Sequence, residues 1–237
     1  MENHHTPLPC ADAIPAWWQS SCEEVDAAVM KVKKGNVTCL AHSPGGREIH
    51  CIQYGARASG RMGTANFNSA VAAGRPEAFC NRGAGSGQPP VLMVLSGVHG
   101  QEVEGVVANL SLLSIMETGC DASGLPQPSL FEKLQHMHLI LVPLANPDGR
   151  ARMPTQGWIG IPSAEMTRWG QGTRKNGDPY GWPACKTVHP MRGDVGILGG
   201  YYDDAGVNIM HDTWHNPMSR TTRAILDLAA TEGPDLP

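Results

Sequence analysis

Two near-continuous apolar runs flanking one helix-length amphipathic segment predict an α/β fold. The first is Val91-Leu92-Met93-Val94-Leu95, bounded by Pro89-Pro90 and Gly97; the second is His138 to Leu144. Strands buried on both faces read as unbroken apolar runs, and strand, helix, strand in this order forms a right-handed parallel crossover. A third observation makes the sheet mixed. Val37 to Ala41 and Ile49 to Tyr54 are short strand-like runs separated by Ser43-Pro44-Gly45-Gly46, which reads as an antiparallel hairpin. The expectation is therefore a mixed, largely parallel twisted sheet with helices on both faces, incomplete at the carboxy end.

With 237 residues, 41% of them hydrophobic, the chain can bury one large core. An amino-terminal helical segment over residues 1–36 and a single domain over 37–237 is the organisation expected. A formal net charge of -4, with no basic cluster beyond Lys31-Val32-Lys33-Lys34, gives no signal for nucleic acid or an anionic membrane. Met1 to Pro9 lacks a basic patch followed by an apolar stretch, and no run approaches the ~18 apolar residues of a membrane span. A cytoplasmic location is expected; oligomeric state has no signature. Seven cysteines (Cys10, Cys22, Cys39, Cys51, Cys80, Cys120, Cys185) form an odd set without a C-x-x-C pair, so free thiols are expected.

In chain order, Ser21-Cys22-Glu23-Glu24 reads as a capping box, with Val25, Val29 and Val32 at helical spacing up to Gly35. His42 and His50 flank the hairpin; histidines at strand ends are more often structural or solvent-facing than ligands. Gly55 to Pro90 reads as a long connection with a short helix around Ala70 to Cys80. Gly83-Ala84-Gly85-Ser86-Gly87 within it precedes a strand instead of following one, so it reads as a linker and not a phosphate loop. Glu102 to Glu117 is the predicted crossover helix, with Val106, Leu110 and Leu113 on its apolar face. Ser129 to Gln135 is a further short helix. Arg150 to Ala205 shows no strong period, yet it carries three Trp and three Tyr residues, favouring an ordered loop that lines a site or anchors to the surface. Ser219 to Thr231 has Ile225, Leu228 and Ala229 at helical spacing, and Asp235-Leu236-Pro237 reads as the approach to another strand.

The chemistry concentrates where the first strand ends. Ser96-Gly97-Val98-His99-Gly100-Gln101-Glu102 places an imidazole in the turn and a carboxylate three residues on, where both can face one divalent cation, with zinc the natural candidate. Gly97 and Gly100 permit close backbone approach. Spacing alone leaves a second reading open, in which Glu102 only favours the helix dipole. Sites in such sheets form beyond the carboxyl ends of the strands, which is where this turn and Asn146-Pro147-Asp148-Gly149 both fall.

The ordered set of Ser96 to Glu102, Asn146 to Gly149 and Gly206-Val207-Asn208 resembles the M14 family of zinc metallocarboxypeptidases, over roughly residues 45 to 237. The resemblance implies a zinc-dependent hydrolase of peptide or amide bonds, with His99 and Glu102 as metal ligands and Asn208 orienting the ligand histidine through its second ring nitrogen. It also implies an arginine that stabilises the oxyanion. Thr173-Arg174-Lys175-Asn176 is similar to that segment, making Arg174 the candidate, with Arg168 a competitor and an ordinary loop cation the bland reading. The third motif departs from the family: Met210-His211 stands where an Asn-Arg pair grips the substrate carboxylate. His211 then becomes the candidate for the substrate's end group, without the fork an arginine supplies. The family's third zinc ligand and general base fall past Pro237, so an amino-terminal part of a longer catalytic domain is expected. His211 or His215 completing the metal site is the less favoured alternative. Two other readings remain, a non-catalytic binding protein of this fold and an aspartoacylase-like amidohydrolase.

Overall fold

The computed structural model describes residues 14–57, 63–79, 87–212 and 217–236. Cys10, Cys80, His215 and residues 83–86 of the Gly-rich stretch lie outside them. Helix α1 (Cys22–Val29) opens at the expected capping box: Ser21 Oγ accepts from Glu24 N, and the Glu24 carboxylate accepts from Ser21 N. Strands β1 (Asn36–His42) and β2 (Glu48–Tyr54) form the antiparallel hairpin. One feature of it has no sequence signature. Cys39 pairs with His50 and Ala41 with Ile49, so Leu40 is an unpaired extra residue, a β-bulge. The following connection contains helix α2 (Phe67–Ala72) and a 3₁₀ turn over Pro76–Ala78.

Strand β3 (Val91–Leu95), helix α3 (Glu104–Thr118), helix α4 (Pro128–Gln135) and strand β4 (His138–Val142) form the crossover unit. The sheet order is β1-β2-β4-β3. β4 runs parallel to β3 and antiparallel to β2, which is the mixed sheet expected, and every residue of β4 is buried. Beyond β3, Leu236 bridges Leu92 in parallel, and Met93 N donates to the Leu236 carbonyl at 2.8 Å. The Asp235-Leu236 segment therefore does enter the sheet, in the same direction as β3.

Helices cover both faces. On one, Val25 and Val29 of α1 and Leu110 and Leu113 of α3 pack on Ile52, Tyr54, Leu139 and Leu141. On the other, Ile225, Leu228 and Ala229 of α8 (Arg220–Glu232) pack on Ile49, Cys51, Met93 and Ile140. The region after β4 contains helices α5 (Pro147–Ala151), α6 (Ser163–Gln171) and α7 (Ala184–Thr187). None is legible by periodicity. α5 and α7 are about one turn long, and α6 buries only Trp169 and Gly170. Its aromatics order this region locally, with Tyr180, Cys185, Met191 and Tyr202 in a small core of their own.

These parts are tied together at Asp148. Its carboxylate, shielded from solvent, accepts from Ser43 Oγ at 2.6 Å, Gly45 N at 2.9 Å, Arg47 Nη1 at 2.8 Å and Asp204 N at 3.1 Å. Burial pushes this carboxyl up, but the donors around it outweigh burial and hold it below the ordinary aspartate range. A group lowered in this way contributes stability above its unfolded value, about pH 4, that is lost as pH falls through the folded value. Asp148→Asn is expected to cost about 3 kcal/mol at pH 7 and to lose less stability than wild type on going to about pH 3. Urea unfolding at both pH values measures this, and equal acid losses in the two proteins would contradict it.

Candidate functional site

The turn after β3 brings the two predicted ligands into contact. His99 Nδ1 lies 2.9 Å from Glu102 Oε1. His99 is 7% exposed, whereas the Glu102 side chain is 51% exposed, so the pair sits at the mouth of a buried turn. Glu102 is not in the first helical turn, as the spacing predicted; α3 begins at Glu104, and Glu102 N instead closes a turn onto the His99 carbonyl at 3.0 Å. The reason is a set of tertiary hydrogen bonds that pull this backbone off a helical path. Gly100 N donates to the Gly200 carbonyl at 2.7 Å, Arg150 Nη1 to the Gly100 carbonyl at 3.3 Å, and Trp158 Nε1 to the Gln101 carbonyl at 2.7 Å.

Gly100 is required here by space. A Cβ on it would meet the carbonyl carbon of Gly149 at 2.1 Å and Arg150 N at 2.2 Å. Gly97 is required by conformation, with φ of 60°. Asn146 links the same loops, its Nδ2 donating to the Gly200 carbonyl at 3.2 Å and its Oδ1 accepting from Gly149 N at 2.9 Å. The ring of Tyr201 stacks on His99 with centroids 4.1 Å apart and planes 15° from parallel. Tyr201 and Gln101 were not singled out by spacing. Tyr201 reaches the turn from a separate loop, and the Gln101 carbonyl within the turn accepts from Trp158 Nε1.

The donor set, an imidazole nitrogen and a carboxylate oxygen that meet in a 2.9 Å hydrogen bond, is of the kind a divalent cation takes. The 2.9 Å separation is slightly shorter than the ~3.3 Å between two ligands on a tetrahedral zinc, so the pair would open by a few tenths of an ångström to hold one. His99 Nε2 is buried, with no hydrogen-bond partner among the described residues. Asn208 turns its Oδ1 to Met210 N at 3.1 Å, while Asn208 N donates to His189 Nε2 at 2.6 Å. His211 lies close enough to His99 to feel its charge, and burial, Lys186 and His99 in that order lower its pKa below the ordinary histidine value.

Arg174 stands apart from the metal pair in its contacts. Its guanidinium is 3.4 Å from Asp194 Oδ2 and lies over the Tyr180 ring at 4.6 Å. The competitor Arg168 pairs with Glu165 at 3.9 Å along α6. Among the described residues, the one group of three metal-ligating side chains lies elsewhere, at Cys39, His42 and Glu48 on the hairpin.

The fold is a mixed α/β sheet with a histidine and a carboxylate paired beyond the end of one of its strands. Residues 30–223 match the family model described as zinc carboxypeptidase, Peptidase M14, and the chain belongs to that family. Similar solved structures include a metallo-carboxypeptidase from Burkholderia cenocepacia, with 15% identity over 90% of this chain and 37% of that one and a TM-score of 0.46. Carboxypeptidase A from Helicoverpa armigera matches with 21% identity over 57% and 26% of the two chains, TM-score 0.36. Thrombin activatable fibrinolysis inhibitor matches with 11% identity over 98% and 50%, TM-score 0.48. The chain thus spans half or less of the length of these structures. No curated protein matches the sequence.

The loop carrying Gly206-Val207-Asn208 is closed by Asp203, a residue the sequence reading passed over. Its Oδ1 accepts from Ala205 N and Val207 N, each at 2.9 Å, while its Oδ2 is buried without a partner among the described residues. Burial pushes this carboxyl up to about 6, with the two N–H groups pulling the other way. A carboxyl raised in this way stabilises the fold fully below its unfolded value, about pH 4, and that contribution is lost as pH rises through about 6. Asp203→Asn keeps an acceptor for both N–H groups and does not ionise. Its stability relative to wild type is therefore expected to improve by ~2 kcal/mol between pH 4 and pH 7. A difference that stays constant between those pH values in chemical denaturation would refute this.

Proposed function

We propose that the chain carries the metal-binding turn of a zinc-dependent carboxypeptidase-like hydrolase acting on a peptide or amide bond. The observation that supports this most is the 2.9 Å approach of His99 Nδ1 to Glu102 Oε1 in a water-restricted turn beyond β3. Zinc held by these two side chains would supply a water of lowered pKa and polarise the scissile carbonyl. The rest falls to the protein. Tyr201 fixes the plane of the His99 ring by stacking on it, and Gly100, Arg150 and Trp158 hold the turn so that Nδ1 stays aimed at Glu102.

Arg174 is assigned the stabilisation of the developing oxyanion. To do so its guanidinium must leave Asp194, an exposed and solvent-screened partner. His211 is assigned contact with the end group of the substrate. An imidazole offers no two-pronged donor for a carboxylate, so selection of a free carboxy terminus over an amide is weak in this reading. A second reading, a non-catalytic binding protein of the same fold, draws support from the engagement of Arg174 by Asp194 and from Met210-His211.

Zinc-dependent release of the last residue of a blocked dipeptide is the activity expected where this turn is joined by the third zinc ligand and general base that the resemblance implies. His99→Ala and Glu102→Ala should each lower it at least ~100-fold, as should a chelator. The dipeptide amide should be cleaved within about tenfold of the free acid. Hydrolysis that survives both substitutions would remove the assignment. Tight zinc binding at His99 and Glu102 without hydrolysis would favour the binding protein.

A further inference from the structure

The β1–β2 hairpin carries a second set of metal donors, unrelated to His99 and Glu102. Residues three apart on a regular strand point to opposite faces. Cys39 and His42 do not, because Leu40 between them is the extra residue of the bulge. Leu40 and Ala41 both pack toward the core under α8. Cys39 is paired across the ladder with His50, and His42 with Glu48, so these four side chains share the opposite face. There Cys39 Sγ lies 3.8 Å from His42 Nδ1, and His42 Nε2 lies 3.8 Å from Glu48 Oε1. One donor atom from each of Cys39, His42 and Glu48 falls within 4.8 Å of the others.

A neighbouring histidine is already oriented toward this group. His50 Nδ1 is 3.7 Å from Glu48 Oε2, while its Nε2 is 2.8 Å from Asp26 Oδ1 on α1. A carboxylate bonded to one ring nitrogen fixes the tautomer and leaves the other nitrogen free to bind a metal. Asp26 stands in that relation to His50.

We infer that Cys39, His42 and Glu48 form a binding site for zinc or a similar divalent transition metal, with His50 poised beside it as a fourth donor. A thiolate, an imidazole and a carboxylate together suit zinc and do not suit magnesium or calcium, which take oxygen alone. Ligands on a tetrahedral zinc are about 3.3–3.6 Å apart. All three side chains are exposed, so rotation about their own bonds closes the observed distances to these without moving the backbone. β2 and β4 stand between β1 and β3, so the site lies roughly 14 Å from the strand that leads to His99. A metal here clips the two hairpin strands together across the bulge. The inference uses no residue of the proposed hydrolytic site and stands or falls separately from it.

Cobalt titration of the reduced protein tests this, because cobalt bound to a thiolate gives a charge-transfer absorption in the near ultraviolet. The expected result is a saturable band that zinc displaces, that disappears in Cys39→Ser, and that needs at least ~10-fold more cobalt in His42→Ala and in Glu48→Gln. His99→Ala should leave the band unchanged. No band at saturating cobalt, a band that survives Cys39→Ser, or wild-type affinity in both His42→Ala and Glu48→Gln would overturn the inference. Glu48→Gln changes neither the size nor the exposure of its side chain, so its folding is not in question, and far-ultraviolet circular dichroism verifies this for all the variants.

Discussion

The turn at Asn146 to Arg150 is the joint on which the arrangement of this protein depends. Within five residues it places a buried carboxylate, a glycine against which another backbone packs, and a buried guanidinium. Asp148 gathers the hairpin turn and the loop at Asp204, Gly149 and Arg150 meet Gly100, and Arg150 also bonds the carbonyls of Ser20 and Thr155. Each contact is between groups that are costly to leave unpaired once buried. The position of His99 is thereby set by the end of a different strand, β4, and not only by β3. The hydrogen bonds of the Arg150 guanidinium go to carbonyl oxygens; burial lowers its pKa, with Cys22, Glu24 and Glu23 pulling the other way.

This explains what could be read from the sequence and what could not. β3 and β4 were legible because strands buried on both faces leave an uninterrupted apolar run, and α1 because its capping box is a local interaction between residues three apart. α6 was not, since only one large side chain on it, Trp169, is buried and a single residue makes no period. The departure at Glu102 has a different origin. Local sequence there is compatible with a helix, but hydrogen bonds to Gly200, Arg150 and Trp158, all at least 48 residues away in sequence, fix the turn instead. Long-range constraints of that kind have no periodic signature.

The same distinction separates the two groups of candidate metal donors. His99 and Glu102 are visible as a motif because they lie three residues apart on one loop. Cys39, His42 and Glu48 are not, because their proximity depends on the unpaired Leu40, and a bulge leaves no mark that alternation of apolar and polar residues reveals. Sequence reasoning therefore assigned His42 and His50 to the ordinary class of strand-end histidines.

The surroundings of the two groups also differ in what they ask of a metal. His99 is buried, Tyr201 lies flat against its ring, and its Nδ1 is held against Glu102, so that nitrogen keeps a fixed direction before any ligand arrives. Preorganisation of that kind favours chemistry, in which small errors of position are expensive. The hairpin donors are exposed and each retains freedom to rotate, so a metal there would lose part of its binding energy to ordering them. What it returns is a cross-link between two strands at the edge of the sheet. A buried histidine held by its neighbours suits a reacting centre, and a solvent-facing set free to rotate suits a structural clip. The division follows from burial alone, before any activity is considered.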